Sequence, residues 1–121
     1  MAARFKDLVL DANDHHELAD WWCAAMGYAR RDEVEPPEDG WVRPLDWPVP
    51  IVDRAGDGPL IWVQPVPEHK TIKNRMHLDV YGSVDDLVEL GATLVRARGD
   101  DLDWDVLADP EGNEFCVFAP R

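Results

Sequence analysis

Two stretches of this chain repeat one plan: a short alternating strand, a helix opened by a capping side chain, and a glycine closing the helix. The first copy runs Phe5-Lys6-Asp7-Leu8-Val9-Leu10-Asp11, then a helix over residues 14–26, then Gly27-Tyr28. The second runs Arg75-Met76-His77-Leu78-Asp79-Val80-Tyr81, then residues 83–90, then Gly91-Ala92. Identity between the copies is low, so the match lies in pattern. Two such units can close around one cavity, and the inward residues of each copy then become readable from the other.

The 121 residues suffice for one domain with a real core and are too few for two independent ones. A hydrophobic fraction of 45% and six tryptophans indicate a folded chain. No apolar run approaches the roughly 20 residues that a membrane span needs. The opening Met-Ala-Ala-Arg-Phe-Lys has no hydrophobic signal core, so the expected location is cytoplasmic and no membrane partner is expected. Cys23 and Cys116 are too few for a disulfide framework and are expected to be reduced. A net charge of −13 and a pI near 4.4 argue against nucleic acid, whose phosphates need clustered Lys and Arg. The same acidity serves solubility, or attracts a cationic small ligand.

Along the chain, Asp7, Val9 and Asp11 alternate with Leu8 and Leu10, the period of a half-buried strand. Asp14-His15-His16-Glu17 reads as a capping box, with His15 and His16 expected on the surface. Leu18, Trp21, Trp22 and Ala25 form one apolar helix face, and Gly27 is placed to end it. Residues 29–34 read as a second strand, 36–40 as a turn, and the Trp- and Pro-rich 41–51 as an irregular strand or edge segment. A turn over 53–59 leads to a strand over 60–64, and the prolines of 65–73 make a stiff connector. The second copy offers a strand with His77, Asp79 and Tyr81 on one face, and a short helix over 84–90 between Ser83 and Gly91. Strands over 93–98, 104–108 and 114–118 follow, the last two separated by a turn over 109–113. The order is strand, helix, three strands, given twice.

That order, with Lys73-Asn74-Arg75-Met76-His77-Leu78-Asp79 and Asp109-Pro110-Glu111-Gly112-Asn113-Glu114-Phe115, resembles the vicinal oxygen chelate superfamily. More narrowly it is similar to the glyoxalase-like, bleomycin-resistance-like proteins. The resemblance covers residues 5–118. It implies an α+β fold: one glyoxalase-like domain over residues 1–121, its two βαβββ modules (about 4–66 and 74–119) forming a curved mixed sheet around a cavity. It also implies homodimeric assembly and a small-molecule ligand. Many members hold a divalent metal with one side chain from the first and last strand of each module, leaving open positions for substrate oxygens. Carried over by position, those sites fall on Asp7 and Trp62 in the first module and on His77 and Cys116 in the second, with Gln64 two residues beyond Trp62.

The usual set is His or Gln with Glu, and this chain departs from it. An indole cannot ligate a metal, so three side chains in register remain: Asp7, His77 and Cys116. Such a trio suits zinc with an open position better than Mg²⁺ or Mn²⁺, which do not favour a thiolate. His77 can be a metal ligand, a general base or a satisfied core histidine. Asp79 can orient it or bind ligand. Asp7, if it lies across the same cavity as His77, can share a proton with it or clamp a ligand amine. Glu114 reads as a solvated strand-end acid, and Cys116 as a buried inert thiol. Tyr81 and Gln64 are candidate polar contacts, and Trp41, Trp47, Trp62 and Trp104 fall where the cavity wall is expected.

Three functions follow. The leading one is a binding protein for a small, cationic or aromatic molecule, with a degenerate metal site and a ligand among Asp7, Trp62, Gln64, His77, Asp79, Tyr81 and Cys116. The alternatives are a metal-dependent lyase, isomerase or dioxygenase using Asp7, His77 and Cys116, and a dimeric interaction module without a ligand.

Overall fold

A computed structural model describes residues 1–120. The chain divides into two compact units, Met1–Glu68 and the residues from His69 onward, so the boundary falls inside the proline-stiffened connector. Among the described residues no helix is long and apolar enough to cross a membrane.

The first unit contains β1 (Leu8–Ala12), α1 (His15–Met26), β2 (Tyr28–Arg30), a four-residue α2 (Arg31–Val34), a 3₁₀ turn (Glu38–Gly40), β3 (Val49–Asp53) and β4 (Ile61–Pro65). Its strands form one mixed sheet in the order β1-β4-β3-β2, with β1 parallel to β4 and the other pairs antiparallel. The second unit contains β5 (Asp79–Tyr81), α3 (Val84–Glu89), β6 (Thr93–Arg96), β7 (Asp105–Ala108) and β8 (Glu114–Phe118). Its sheet runs β5-β8-β7-β6, again with the first strand parallel to the last. The duplicated pattern is therefore a duplicated topology: two βαβββ modules in an α+β chain.

Local chemistry explains the elements. Asp14 caps α1, its Oδ1 accepting from the Glu17 N–H at 3.1 Å. Such a cap contributes about 1 kcal/mol. Gly27 ends the helix with φ of 71°, a conformation that costs other residues their Cβ contacts. Leu18, Ala19 and Trp22 of α1 are buried together with Ala12, Val49, Ile51, Ile61 and Val63 of the sheet. The second core gathers Leu87, Ala92, Leu107, Phe115 and Val117. In both sheets one face is thereby committed to the core, and alternation turns the intervening residues to the other face.

Two readings of the sequence are corrected. The expected strand over 29–34 stops at Arg30, because Arg31-Asp32-Glu33-Val34 lacks strand alternation and closes a helical turn, with the Glu35 N–H donating to the Arg31 carbonyl at 2.7 Å. His15 is buried, not exposed: the 41–48 loop brings the Leu45 carbonyl to within 2.9 Å of His15 Nε2 and 2.7 Å of His16 Nε2. Arg30 Nη1 donates to His16 Nδ1 at 3.1 Å, which leaves the proton on His16 Nε2 to donate to that carbonyl.

The turn before β8 is organised by Asp109, which is 3% exposed. Its Oδ1 accepts from the backbone N–H groups of Glu111 (2.9 Å) and Asn113 (3.0 Å), and the Asn113 side-chain amide reaches both carboxylate oxygens. Gly112 supplies the positive φ, 88°, that the turn needs. Removing this acceptor leaves several donors unsatisfied, so Asp109→Ala is expected to destabilise the protein by about 2–3 kcal/mol. A drop in urea midpoint with an unchanged m-value checks it, and Asp109→Asn, which keeps one acceptor oxygen, is expected to lose less.

Candidate functional site

Parallel pairing of first and last strand fixes the register from which the site is built. In the first module Val9 pairs with Trp62, and in the second Asp79 pairs with Cys116. Two residues before the paired position stand Asp7 and His77. The two modules thus match residue for residue: Asp7 with His77, Val9 with Asp79, Trp62 with Cys116.

In the first module the matched pair is joined. Trp62 Nε1 donates to Asp7 Oδ2 at 2.9 Å, and Lys6 Nζ reaches the same oxygen at 2.6 Å. The Asp7 side chain is only 13% exposed. Its carboxyl titrates below the ordinary value, chiefly because of the Lys6 ammonium, with the Trp62 N–H adding to the effect against the opposing burial. Two guanidinium groups lie over the Trp62 ring, Arg31 at 5.0 Å and Arg43 at 5.7 Å from its centroid. Arg43 also lies 5.3 Å from the Trp41 ring and is bound to Asp32 by two hydrogen bonds of 2.8 and 3.0 Å. Among the described residues Arg31 has no carboxylate within ion-pair distance. Gln64 lies exposed on β4, two residues beyond Trp62 and on the same face. The Trp41 and Trp47 rings meet at a tilt of 52° in the 41–48 loop, their centroids 5.8 Å apart.

In the second module the matched pair gains a third member. His77 Nδ1 lies 3.3 Å from Asp79 Oδ1, and one ligand atom from each of His77, Asp79 and Cys116 falls within 4.8 Å of the others. His77 and Asp79 are exposed, while Cys116 is 8% exposed. Burial raises the Cys116 thiol, and the neighbouring Asp79 carboxylate raises it further, which fits an unreactive thiol. The Trp104 ring lies 5.5 Å from that of Phe118. Tyr81, 60% exposed, pairs with Phe118 along the strand and stands on the same face as Asp79. Cys23 and Cys116 are both free thiols, and burial pushes Cys23 up to about 11.

The superfamily's metal arrangement does not fit the first module. Trp62 offers no lone pair to an ion, and Asp7 already accepts from Trp62 and Lys6. The donors of the second module do fit one, since imidazole, carboxylate and thiolate together suit a borderline-soft divalent ion.

Sequence reasoning missed the arginines at Trp62, because Arg31 was read into a strand and Arg43 into an irregular segment. It also missed the role of Glu114, which is neither solvated nor a metal ligand. Glu114 Oε1 accepts from Lys70 Nζ at 2.8 Å and Oε2 from the Asn74 N–H at 2.9 Å, fastening the end of the connector to β8.

The topology of these modules is that of the vicinal oxygen chelate superfamily, as the strand order suggests. Within it, residues 7–118 match the model of the glyoxalase-like domain family, and the chain belongs to that family. No curated protein sequence matches the chain. Among solved structures it is similar to a glyoxalase/bleomycin resistance protein/dioxygenase family enzyme from Burkholderia phytofirmans PsJN, with 19% identity, TM-score 0.62, and coverage of 95% of this chain and 97% of that one. It is also similar to a mutant of the fosfomycin resistance protein FosX from Listeria monocytogenes, solved with Mn(II) and 1S,2S-dihydroxypropylphosphonic acid, at 11% identity and TM-score 0.65, covering 100% and 95% of the two chains. A hypothetical protein from S. aureus matches at 16% identity and TM-score 0.60, covering 98% and 99%. These likenesses establish the shared fold.

Glu114 gives a pH test. Burial pushes its carboxyl up, but the Lys70 ammonium and the Asn74 N–H outweigh that and hold it at about 2, against an ordinary 4.5. A pKa depressed on folding contributes stability that is full above 4.5 and is lost as pH falls toward 2. Glu114→Gln is therefore expected to lower stability at neutral pH and to flatten the acid limb between those values, as measured by urea unfolding across pH.

Proposed function

We propose that this member of the glyoxalase-like family binds a small aromatic molecule carrying an acidic group, held against the Trp62 face of the first module. The superfamily's metal arrangement is degenerate in that module. The observation that carries this reading is the Asp7–Trp62 hydrogen bond. It fixes an indole where relatives place a ligand side chain, converting a metal position into an aromatic wall. A ring fixed by its N–H presents a flat surface at little entropic cost, and stacking on it favours planar ligands.

The arginines refine the ligand class. A cationic ligand would compete for cation–π positions that Arg31 and Arg43 already occupy. An aromatic acid instead stacks on the guanidinium planes laid over the Trp62 ring and meets, in Arg31, a guanidinium not committed to a carboxylate. In a chain of net charge −13 this local cluster of Lys6, Arg31 and Arg43 runs against the overall field. Gln64, exposed on the same face, is available for a polar contact. A metal-dependent lyase, isomerase or dioxygenase built on Asp7, His77 and Cys116 would require Asp7 to leave both Trp62 and Lys6. A homodimer in the cytoplasm completes the proposal.

The test is a titration of the chelator-treated protein with aromatic carboxylates and matched aromatic amines, followed by tryptophan fluorescence and thermal shift. Carboxylates are expected to bind and amines not. Arg31→Ala and Trp62→Ala are each expected to weaken binding about tenfold, in keeping with one charged contact or one stacking surface. Preferential binding of the amines would overturn the ligand class, and equal binding by Trp62→Ala would overturn the site.

A further inference from the structure

The second module holds a donor set that the small-molecule reading leaves unused. Three different donor types converge there: an imidazole nitrogen of His77, a carboxylate oxygen of Asp79 and the thiol sulfur of Cys116, all within 4.8 Å of one another. Asp79 and Cys116 come from two adjacent strands whose register is fixed by backbone pairing, with the Cys116 N–H donating to the Leu78 carbonyl at 2.9 Å. His77 stands two residues before the first of these strands and reaches Asp79 from there.

The His77–Asp79 separation is compatible with a tetrahedral zinc site. In a tetrahedral zinc site with Zn–N and Zn–O bonds of about 2.0–2.1 Å, the ligand atoms stand about 3.3–3.4 Å apart. His77 Nδ1 and Asp79 Oδ1 are separated by 3.3 Å. A thiolate at about 2.3 Å from the ion would stand about 3.6 Å from the other two ligands, within a small side-chain adjustment of the arrangement present. The exposed His77 and Asp79 leave the site open to solvent, while the buried Cys116 forms its floor.

We propose that His77, Asp79 and Cys116 form a zinc site contained within the second module, with the fourth position open to water or a ligand oxygen. This differs from a metal shared between the first and last strands of both modules. Asp79 takes the place of the donors that the first module lacks, and the thiolate selects zinc over Mg²⁺ or Mn²⁺. The site stands apart from the aromatic-acid reading of Trp62, and either can fail alone.

The experiment uses the full chain, stripped with chelator and titrated with Zn²⁺ and then with Co²⁺ as a spectroscopic substitute. The expected result is one equivalent of Zn²⁺ per chain, and a Co²⁺ complex with tetrahedral visible bands and a thiolate-to-cobalt charge-transfer band in the near ultraviolet. Cys116→Ser is expected to abolish the charge-transfer band and weaken zinc binding at least a hundredfold. Asp79→Asn is expected to weaken it about tenfold, whereas Asp7→Asn leaves it unchanged. The wild-type spectrum decides the case even if Cys116→Ser fails to fold. Absence of stoichiometric zinc, a Co²⁺ complex lacking the charge-transfer band, or a loss in Asp7→Asn equal to that in Asp79→Asn would each overturn the proposal.

Discussion

The structure depends on the parallel pairing of the first and last strand in each module. Those two strands are far apart in sequence, and only their hydrogen-bonded register decides which side chains stand together on the face away from the core. Val9 opposite Trp62 and Asp79 opposite Cys116 are two instances of one pairing. A slip of one residue would send Trp62 and Cys116 into the core and bring Ile61, Val63, Phe115 and Val117 out. Burial of those four apolar side chains therefore also holds the polar sites in place.

From this common frame the two modules diverge. In the first, the matched positions carry an acid and an indole, which satisfy each other; the cations of Arg31 and Arg43 then gather on the ring. In the second, the matched positions carry an imidazole and a thiol, and the residue between them in register is Asp79 where the first module has Val9. Exchanges at all three matched positions, Asp7 for His77, Val9 for Asp79 and Trp62 for Cys116, distinguish the indole–carboxylate pair from the three-donor cluster. One topology thus carries an indole–carboxylate pair in one module and a cluster of three donor side chains in the other.

Much of this was readable beforehand, and the reasons are physical. Alternation in 7–11, the Asp14 cap, Gly27, and the Asp109–Asn113 turn are local signals, and each forms as its chemistry dictates. The position-by-position equivalence of Asp7 with His77 and Trp62 with Cys116 also holds, because strand register is set by the same apolar alternation that the sequence displays. What escaped was nonlocal. The burial of His15 depends on a loop 30 residues away presenting the Leu45 carbonyl. The Glu114 clasp depends on Lys70 and Asn74 returning across the connector. Of the arginines at Trp62, Arg31 comes from α2, a turn of helix in a stretch whose composition reads equally as strand, and Arg43 from the 41–48 loop. No spacing rule in the chain encodes these contacts, since each is a meeting of loops fixed by the packing of other elements.

The central claim is that Trp62 is a fixed aromatic wall because its indole N–H is bound to Asp7. The most direct measurement is the Trp62 indole resonance in a ¹H–¹⁵N spectrum followed with pH. A hydrogen-bonded indole predicts slow solvent exchange and a shift that titrates with the Asp7 carboxyl at a midpoint below its ordinary 3.8, lost in Asp7→Asn. A rapidly exchanging indole proton, indifferent to pH and to Asp7→Asn, would contradict the account.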